Sequence, residues 1–246
     1  VRHLVAAWSE YVERDNTRRT REDNVTACIG IDTLHHYLIG AMPIEQFMGH
    51  VRQHATHTDQ RKLLVGHLPE EFGFHQVIPA EVSQVAQDTY PAYDIRVINE
   101  SITGYCLEWP PGMLVRLPAG CVVGIKEAFA PYWKVGEIVW SKKAADGKVR
   151  TGIRTLGNEA MPVAVRIPHM QAERSQAMPG FLLSPDRELG TEKTSFLSSN
   201  MKLNMGEQLF IIQEGNERMI QLLEPIKSTS GYSQFDCAFI TEPEKA

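Results

Sequence analysis

Residues 93–109 read YDIRVINESITGYCLEW, and this stretch decides the fold. Ile95 and Val97 alternate with the polar Asp94 and Arg96, the period of two expected of a strand with one buried face. Asn99-Glu-Ser101-Ile-Thr-Gly104 ends that strand and leads into the next, YCLEW, with Gly104 able to turn the backbone. In an extended strand alternate residues share a face, so Asn99 and Ser101 stand on the same side. Toward the C-terminus VVGIKEA, WKVGEIVWSKK and KVRTGIRTL follow at short intervals, divided by Pro110-Pro111-Gly112, Pro118-Ala119-Gly120 and Asp146-Gly147. The Asp-Gly pair predicts a tight hairpin. Short strands with turn signals at this spacing predict a small antiparallel barrel or sandwich. Trp133 and Trp140 read as its core, because large aromatics dominate small barrel interiors.

On the N-terminal side, VTACIGI (Val25–Ile31) reads as another strand, rich in β-branched and small residues. Before it lies an arginine-rich run, RDNTRRTRED, from Arg14 to Asp23. Before that, Leu4, Val5, Trp8 and Val12 form a short helical stripe. The texture changes at about residues 32–91, where DTLHHYLIG and IEQFMGHVRQHATH have helical spacing and Asp32 suits an N-cap. This segment is expected to be a helical insertion. Near the other end, the polar link PHMQAERSQAMPG (168–180) is a candidate boundary. PGFLLSP, TSFLSSN, EQLFIIQEG, RMIQLLEPI and FDCAFI beyond it predict a second small β unit. The expected fold is thus mainly β with some α: an antiparallel barrel domain over 1–167 carrying the insertion, then a C-terminal β unit over 168–246.

Two short patterns carry the chemistry. Arg14-Asp-Asn-Thr-Arg18 is an RxxxR, and Asn99–Gly104 is an NxSxxG. Arginine offers a planar, permanently charged fork that fits phosphate oxygens or the O6/N7 edge of guanine and also stacks on bases. Asn99 supplies two donors and an acceptor, Ser101 a hydroxyl, and Gly104 room for close approach. Trp133, Gly136, Val139, Trp140, Asp146-Gly147 and Gly152-Ile153-Arg154 then follow in order. Taken together, residues Arg14 to Arg154 resemble the PilZ domain family. The resemblance implies a PilZ-like β-barrel in a bacterial receptor for cyclic di-GMP. It implies ligand-binding roles for Arg14, Arg18, Arg19, Asn99, Ser101 and Gly104, with Arg21 able to substitute if the register differs. Binding would order the arginine loop by neutralising it, and the signal would pass to a downstream protein partner. The alternative is a PilZ-like protein–protein adaptor that binds no nucleotide. The sequence departs from the family in spacing: 80 residues separate Arg18 from Asn99.

Composition bounds the other classes. A net charge of −5 argues against a general nucleic-acid binder. No apolar run approaches the roughly 18 residues a membrane helix needs, so no membrane partner is expected. The opening residues lack a secretory signal pattern, and the start at Val1 suggests a piece of a longer protein. Cys28, Cys106, Cys121 and Cys237 form no CxxC and read as reduced thiols of a cytoplasmic protein. His50, His54 and His57 share a possible helix face, and His35, His36, His67 and His75 lie nearby in sequence. Without HExxH or Cys or carboxylate at tight spacing, these predict a solvated or partner-facing helix and no metal. GxSxG, Walker A and a post-strand GxGxxG are all missing, and Ser101 has no neighbouring His, so neither an enzyme nor a cofactor is expected.

Overall fold

The computed structural model describes residues 17–44, 46–48, 89–112, 116–168, 177–213 and 216–240. Its first part comprises β1 (Arg19–Thr20), β2 (Asn24–Ile29), α1 (Ile31–Leu38), β3 (Ala92–Ser101), β4 (Gly104–Trp109), β5 (Val122–Glu127), β6 (Lys134–Lys143) and β7 (Val149–Gly157). The second part comprises β8 (Ala160–Arg166), β9 (Met178–Leu183), β10 (Ser195–Ser198), β11 (Gln208–Gln213), β12 (Asn216–Ser228) and β13 (Ser233–Ile240). The order β3-β2-β5-β6-β7-β4 closes on itself through β3–β4, and β10-β13-β12-β11-β8-β9 forms a second closed barrel. Closure removes sheet edges that would otherwise offer unpaired backbone to other chains. The chain is therefore mainly β, and the C-terminal β unit is a complete barrel.

Alternation fills the first barrel. Val25 and Ala27 on β2, Ile95 and Val97 on β3, and Leu107 and Trp109 on β4 point inward with Val123, Ile125, Ile138 and Ile153. The Trp109 indole N–H, wholly buried, donates to Thr151 Oγ1 at 2.9 Å, so its polar handle is satisfied. Three register shifts interrupt the alternation, one of them between Val135 and Gly136. On β3 the register jumps between Val97, opposite Leu107, and Asn99, opposite Cys106. On β6 it jumps between Ile138, opposite Ile153, and Trp140, opposite Gly152. Each extra residue shifts the remainder of its strand by one, which moves every later side chain to the other face. Trp140 accordingly stands outside the barrel, 39% exposed, and not in the core as an unbroken period predicts.

Gly30, at φ +92°, turns β2 into α1. Asp32 lies in the first turn of that helix, but no side chain caps it. The rest of the expected insertion is described only at residues 39–44, 46–48 and 89–91. The helical stripe of residues 1–12 lies outside the described residues.

The helix joins the two barrels. Leu34 and Leu38 pack with Cys28, Val122, Trp133, Val135 and Leu156 of the first barrel. The same cluster takes in Phe181, Leu183, Leu197 and Tyr232 of the second. Trp133, at 4% exposure, is core as expected, but of this seam. Among the hydrogen bonds that cross it, His35 Nε2 donates to the Val163 carbonyl at 3.1 Å, and Thr229 Oγ1 donates to the Gly120 carbonyl at 2.9 Å. The strand β8 lies on the far side of the seam. The expected first unit runs to residue 167, yet β8 pairs with β9 and β11. Pro162 lies within this strand. It is tolerated because β11 pairs only with Ala164, Val165 and Arg166, so no β11 partner stands opposite the position that lacks an N–H.

Candidate functional site

The segment 19–29 is one strand interrupted at Arg21–Asp23. Both of its pieces lie along β3, with Arg19 opposite Glu100, Thr20 opposite Asn99 and Val25 opposite Ile95. An ion cluster fixes the interruption. The Arg21 guanidinium pairs with Asp23, with Glu100 at 2.5 Å and with Glu127 at 3.6 Å. Glu127 also holds Lys134 Nζ at 2.9 Å and accepts from the Tyr105 hydroxyl at 2.7 Å. The hydrogen bonds that Arg21 donates to Asp23 and to Glu100 outweigh burial and raise its pKa above the ordinary value. Arg21 is thus tied to carboxylates, and its task is to hold the register.

Continued by one residue, that register runs Arg18 toward Ser101 at the end of β3. The 80 intervening residues do not keep Arg19 and Thr20 from pairing with Glu100 and Asn99. The bulge at Ile98 turns Asn99 and Ser101 out of the barrel, where Asn99 faces Cys106 and Ser101 faces Gly104. Without it the alternation of Ile95 and Val97 would carry both into the core.

Three rungs then cross the outer face of β3, β4, β7 and β6. Arg96, Glu108, Arg150 and Lys142 form the first; Asn99, Cys106, Gly152 and Trp140 the second; Ser101, Gly104, Arg154 and Glu137 the third. The floor is made of small residues. A Cβ on Gly104 would collide with the Ile153 carbonyl oxygen, and one on Gly152 with Trp140 Nε1. The Trp140 indole therefore lies across Gly152.

Positive charge surrounds this floor. The Glu108 carboxylate, 6% exposed, takes Arg150 Nε at 2.9 Å, Lys148 Nζ at 3.0 Å and Arg96 at 3.9 Å, which leaves an excess of cations. Hydrogen bonds from Lys148 and Arg150 hold its pKa below the usual carboxylate range. Burial pushes the Cys106 thiol up, while the Arg18 and Arg150 charges pull it down. Such a surface offers charged forks for phosphate, amide and hydroxyl groups for a base edge, and an aromatic face.

Of the expected set, Arg19 lies on β1 opposite Glu100, with Arg18 just before it, Asn99 and Ser101 lie on the neighbouring β3 and Gly104 on β4, while Arg14 lies outside the described residues. Arg150, Arg154 and Trp140 were missed. For the two arginines the signal was present, since Arg150, Gly152 and Arg154 alternate with the inward Thr151 and Ile153. His35 and His36 are buried on α1, and the His36 ring stacks on Tyr90 at 4.1 Å. His50, His54, His57, His67 and His75 lie outside the described residues. Among the described residues no three His, Cys, Asp or Glu side chains gather to hold a metal, and no helix is long and apolar enough to cross a membrane.

Known proteins share this layout. The family model described as "Cyclic-di-GMP receptor FimW, middle PilZ domain" matches residues 1–67 and 69–162. The model described as "FimW C-terminal beta-barrel domain" matches residues 163–239. The cyclic-di-GMP receptor FimW of Pseudomonas aeruginosa is 26% identical over 262 residues, covering 96% of this chain. The chain spans 43% of that relative's length. No solved structure matches significantly.

Proposed function

Because the chain belongs to the family of the middle PilZ domain of the cyclic-di-GMP receptor FimW, we propose that it is a binding protein, not an enzyme, and that it takes cyclic di-GMP on the outer face of the first barrel. The observation that carries this reading is the pairing of Arg19 and Thr20 with Glu100 and Asn99, which runs Arg18 toward Ser101. A cyclic dinucleotide presents two phosphates and two guanine edges. Arg14, Arg18 and Arg19 supply the forks, Asn99 and Ser101 the hydrogen bonds, and Gly104 the close approach.

The route to a downstream protein is an ordering of the arginine segment. Arg21 fixes one end of it through Asp23 and Glu100. Neutralisation by the dianionic ligand then settles the residues leading up to Arg18. Four free thiols fit a reducing, cytoplasmic setting.

Calorimetric titration with cyclic di-GMP tests the reading. Each lost charge-assisted hydrogen bond is worth about 1.5–3 kcal/mol, so Arg18→Ala is expected to weaken binding by roughly ten- to a hundredfold. Arg14→Ala and Ser101→Ala are expected to weaken it as well. Wild-type affinity in all three variants would remove the site, and no binding to the intact chain would remove the ligand. Amide exchange over residues 14–20 should slow on ligand addition, and unchanged exchange would refute the ordering step.

A further inference from the structure

The third rung does not stop at the binding face. It runs from Ser101 through Gly104 and Arg154 to Glu137, and Glu137 lies opposite Val122 in the seam between the barrels. The Arg154 side chain is 48% exposed and that of Glu137 only 4%, so the rung passes from open surface to covered interface between these two residues. Glu137 Oε2 accepts from Arg154 Nη2 at 2.7 Å. The same carboxylate accepts from Lys227 Nζ at 2.7 and 2.9 Å, and Lys227 belongs to β12 of the second barrel. One buried carboxylate therefore serves two cations, one from each barrel.

A third group completes the arrangement. Tyr232, also of the second barrel, is wholly buried, and its hydroxyl makes no hydrogen bond among the described residues. Tyr232 packs in the same cluster as Val122, which stands opposite Glu137, and Val135, two residues before Glu137 on β6. Burial raises the Tyr232 pKa, the Glu137 charge raises it further and the Arg154 charge lowers it. A buried donor left unpaired is unfavourable.

We infer that Glu137 is a shared latch: an anionic ligand that draws Arg154 toward its phosphate releases one carboxylate oxygen to the Tyr232 hydroxyl and leaves Lys227 as the sole cation on Glu137. This rests on the nucleotide reading above. In the unliganded arrangement Arg154 is paired and Tyr232 is not; with ligand, both are paired. The same exchange tightens the hold of the first barrel on Lys227 and Tyr232, so occupancy of the outer face is felt in the seam. Such coupling is reciprocal, and changes in the second barrel must alter ligand affinity.

Calorimetric titration of cyclic di-GMP into the full chain tests this. Lys227→Met leaves Arg154 as the sole partner of Glu137, and the Kd is expected to rise by about five- to tenfold. Tyr232→Phe removes the replacement donor. It is expected to raise the Kd by about fivefold while leaving the melting temperature of the unliganded protein unchanged. In the wild type, amide exchange at Gly231 and Tyr232 should slow with ligand, and in Tyr232→Phe it should not. Wild-type affinity in both variants, alongside weakened binding in Arg18→Ala, would overturn the latch and leave the receptor reading standing. No binding to the wild type would overturn both.

Discussion

Acid should loosen the seam through His35. Its ring is 2% exposed, and Nε2 must carry the proton because the Val163 carbonyl can only accept. The ring also lies 5.8 Å from the Phe47 and Phe181 ring centres, an apolar setting for a second proton. Burial lowers its pKa to about 4, against which the Val163 hydrogen bond works only in part. The unfolded chain takes up that proton near 6.5. A depressed folded pKa contributes stability that is fully present above the unfolded value and is lost as pH falls toward the folded one. The loss from this group is about 2 kcal/mol at pH 5 and about 3 kcal/mol at pH 4. Carboxylates titrate over the same range, so the assay is a difference: urea unfolding of wild type and His35→Gln between pH 7.5 and 4. Glutamine keeps a donor for Val163 but takes up no proton. The wild type should start more stable, and its advantage should shrink by about 2 kcal/mol by pH 5. Parallel profiles would refute the assignment of a suppressed proton to His35.

Leu34→Ala, at a wholly buried position of α1, should cost about 2–5 kcal/mol and lower one calorimetric transition; two separate transitions would contradict a shared core. Gly104→Ala would drive a methyl against the Ile153 carbonyl and push β4 from β7, lowering stability by about 1–3 kcal/mol; an unchanged melting temperature would contradict the packing. Arg21→Ala should leave Glu100 and Glu127 facing each other and speed amide exchange at Arg21, whose N–H bonds to the Ile98 carbonyl at 3.3 Å; unaltered exchange there would show that the ion cluster does not hold the register.

Much of this was legible in the chain. Short strands between Pro- and Gly-containing turns gave two β units, and the Asp146-Gly147 hairpin joins β6 to β7 as expected. The pairing of RxxxR with NxSxxG could be read as chemistry before any geometry. What could not be read were single-residue slips. Nothing in the hydropathy of VINES shows that Ile98 is the extra residue, although it alone puts Asn99 and Ser101 outside. Trp140 was misplaced for the same reason, two positions after the inward Ile138. Residues 160–166 carry no alternation signal, and Pro162 sits in a strand where only one side demands hydrogen bonds at that position. The seam escaped because its strand residues, such as Val122 and Leu183, have apolar neighbours on the other face, while Leu34 and Leu38 sit on α1 and Trp133 and Tyr232 outside the strands, so no alternation marks them.

The shared cluster around Leu34 bears on how this protein can be divided. Only Asn158 and Glu159 connect β7 to β8, an inviting place to separate the first barrel. Excision there would uncover Cys28, Leu34, Val122, Trp133, Val135 and Leu156 together, a contiguous greasy surface of the kind that drives self-association. It would also strand Glu137 without Lys227. Sequence modules and physical modules differ here: the polypeptide has two barrels, but one buried cluster belongs to both.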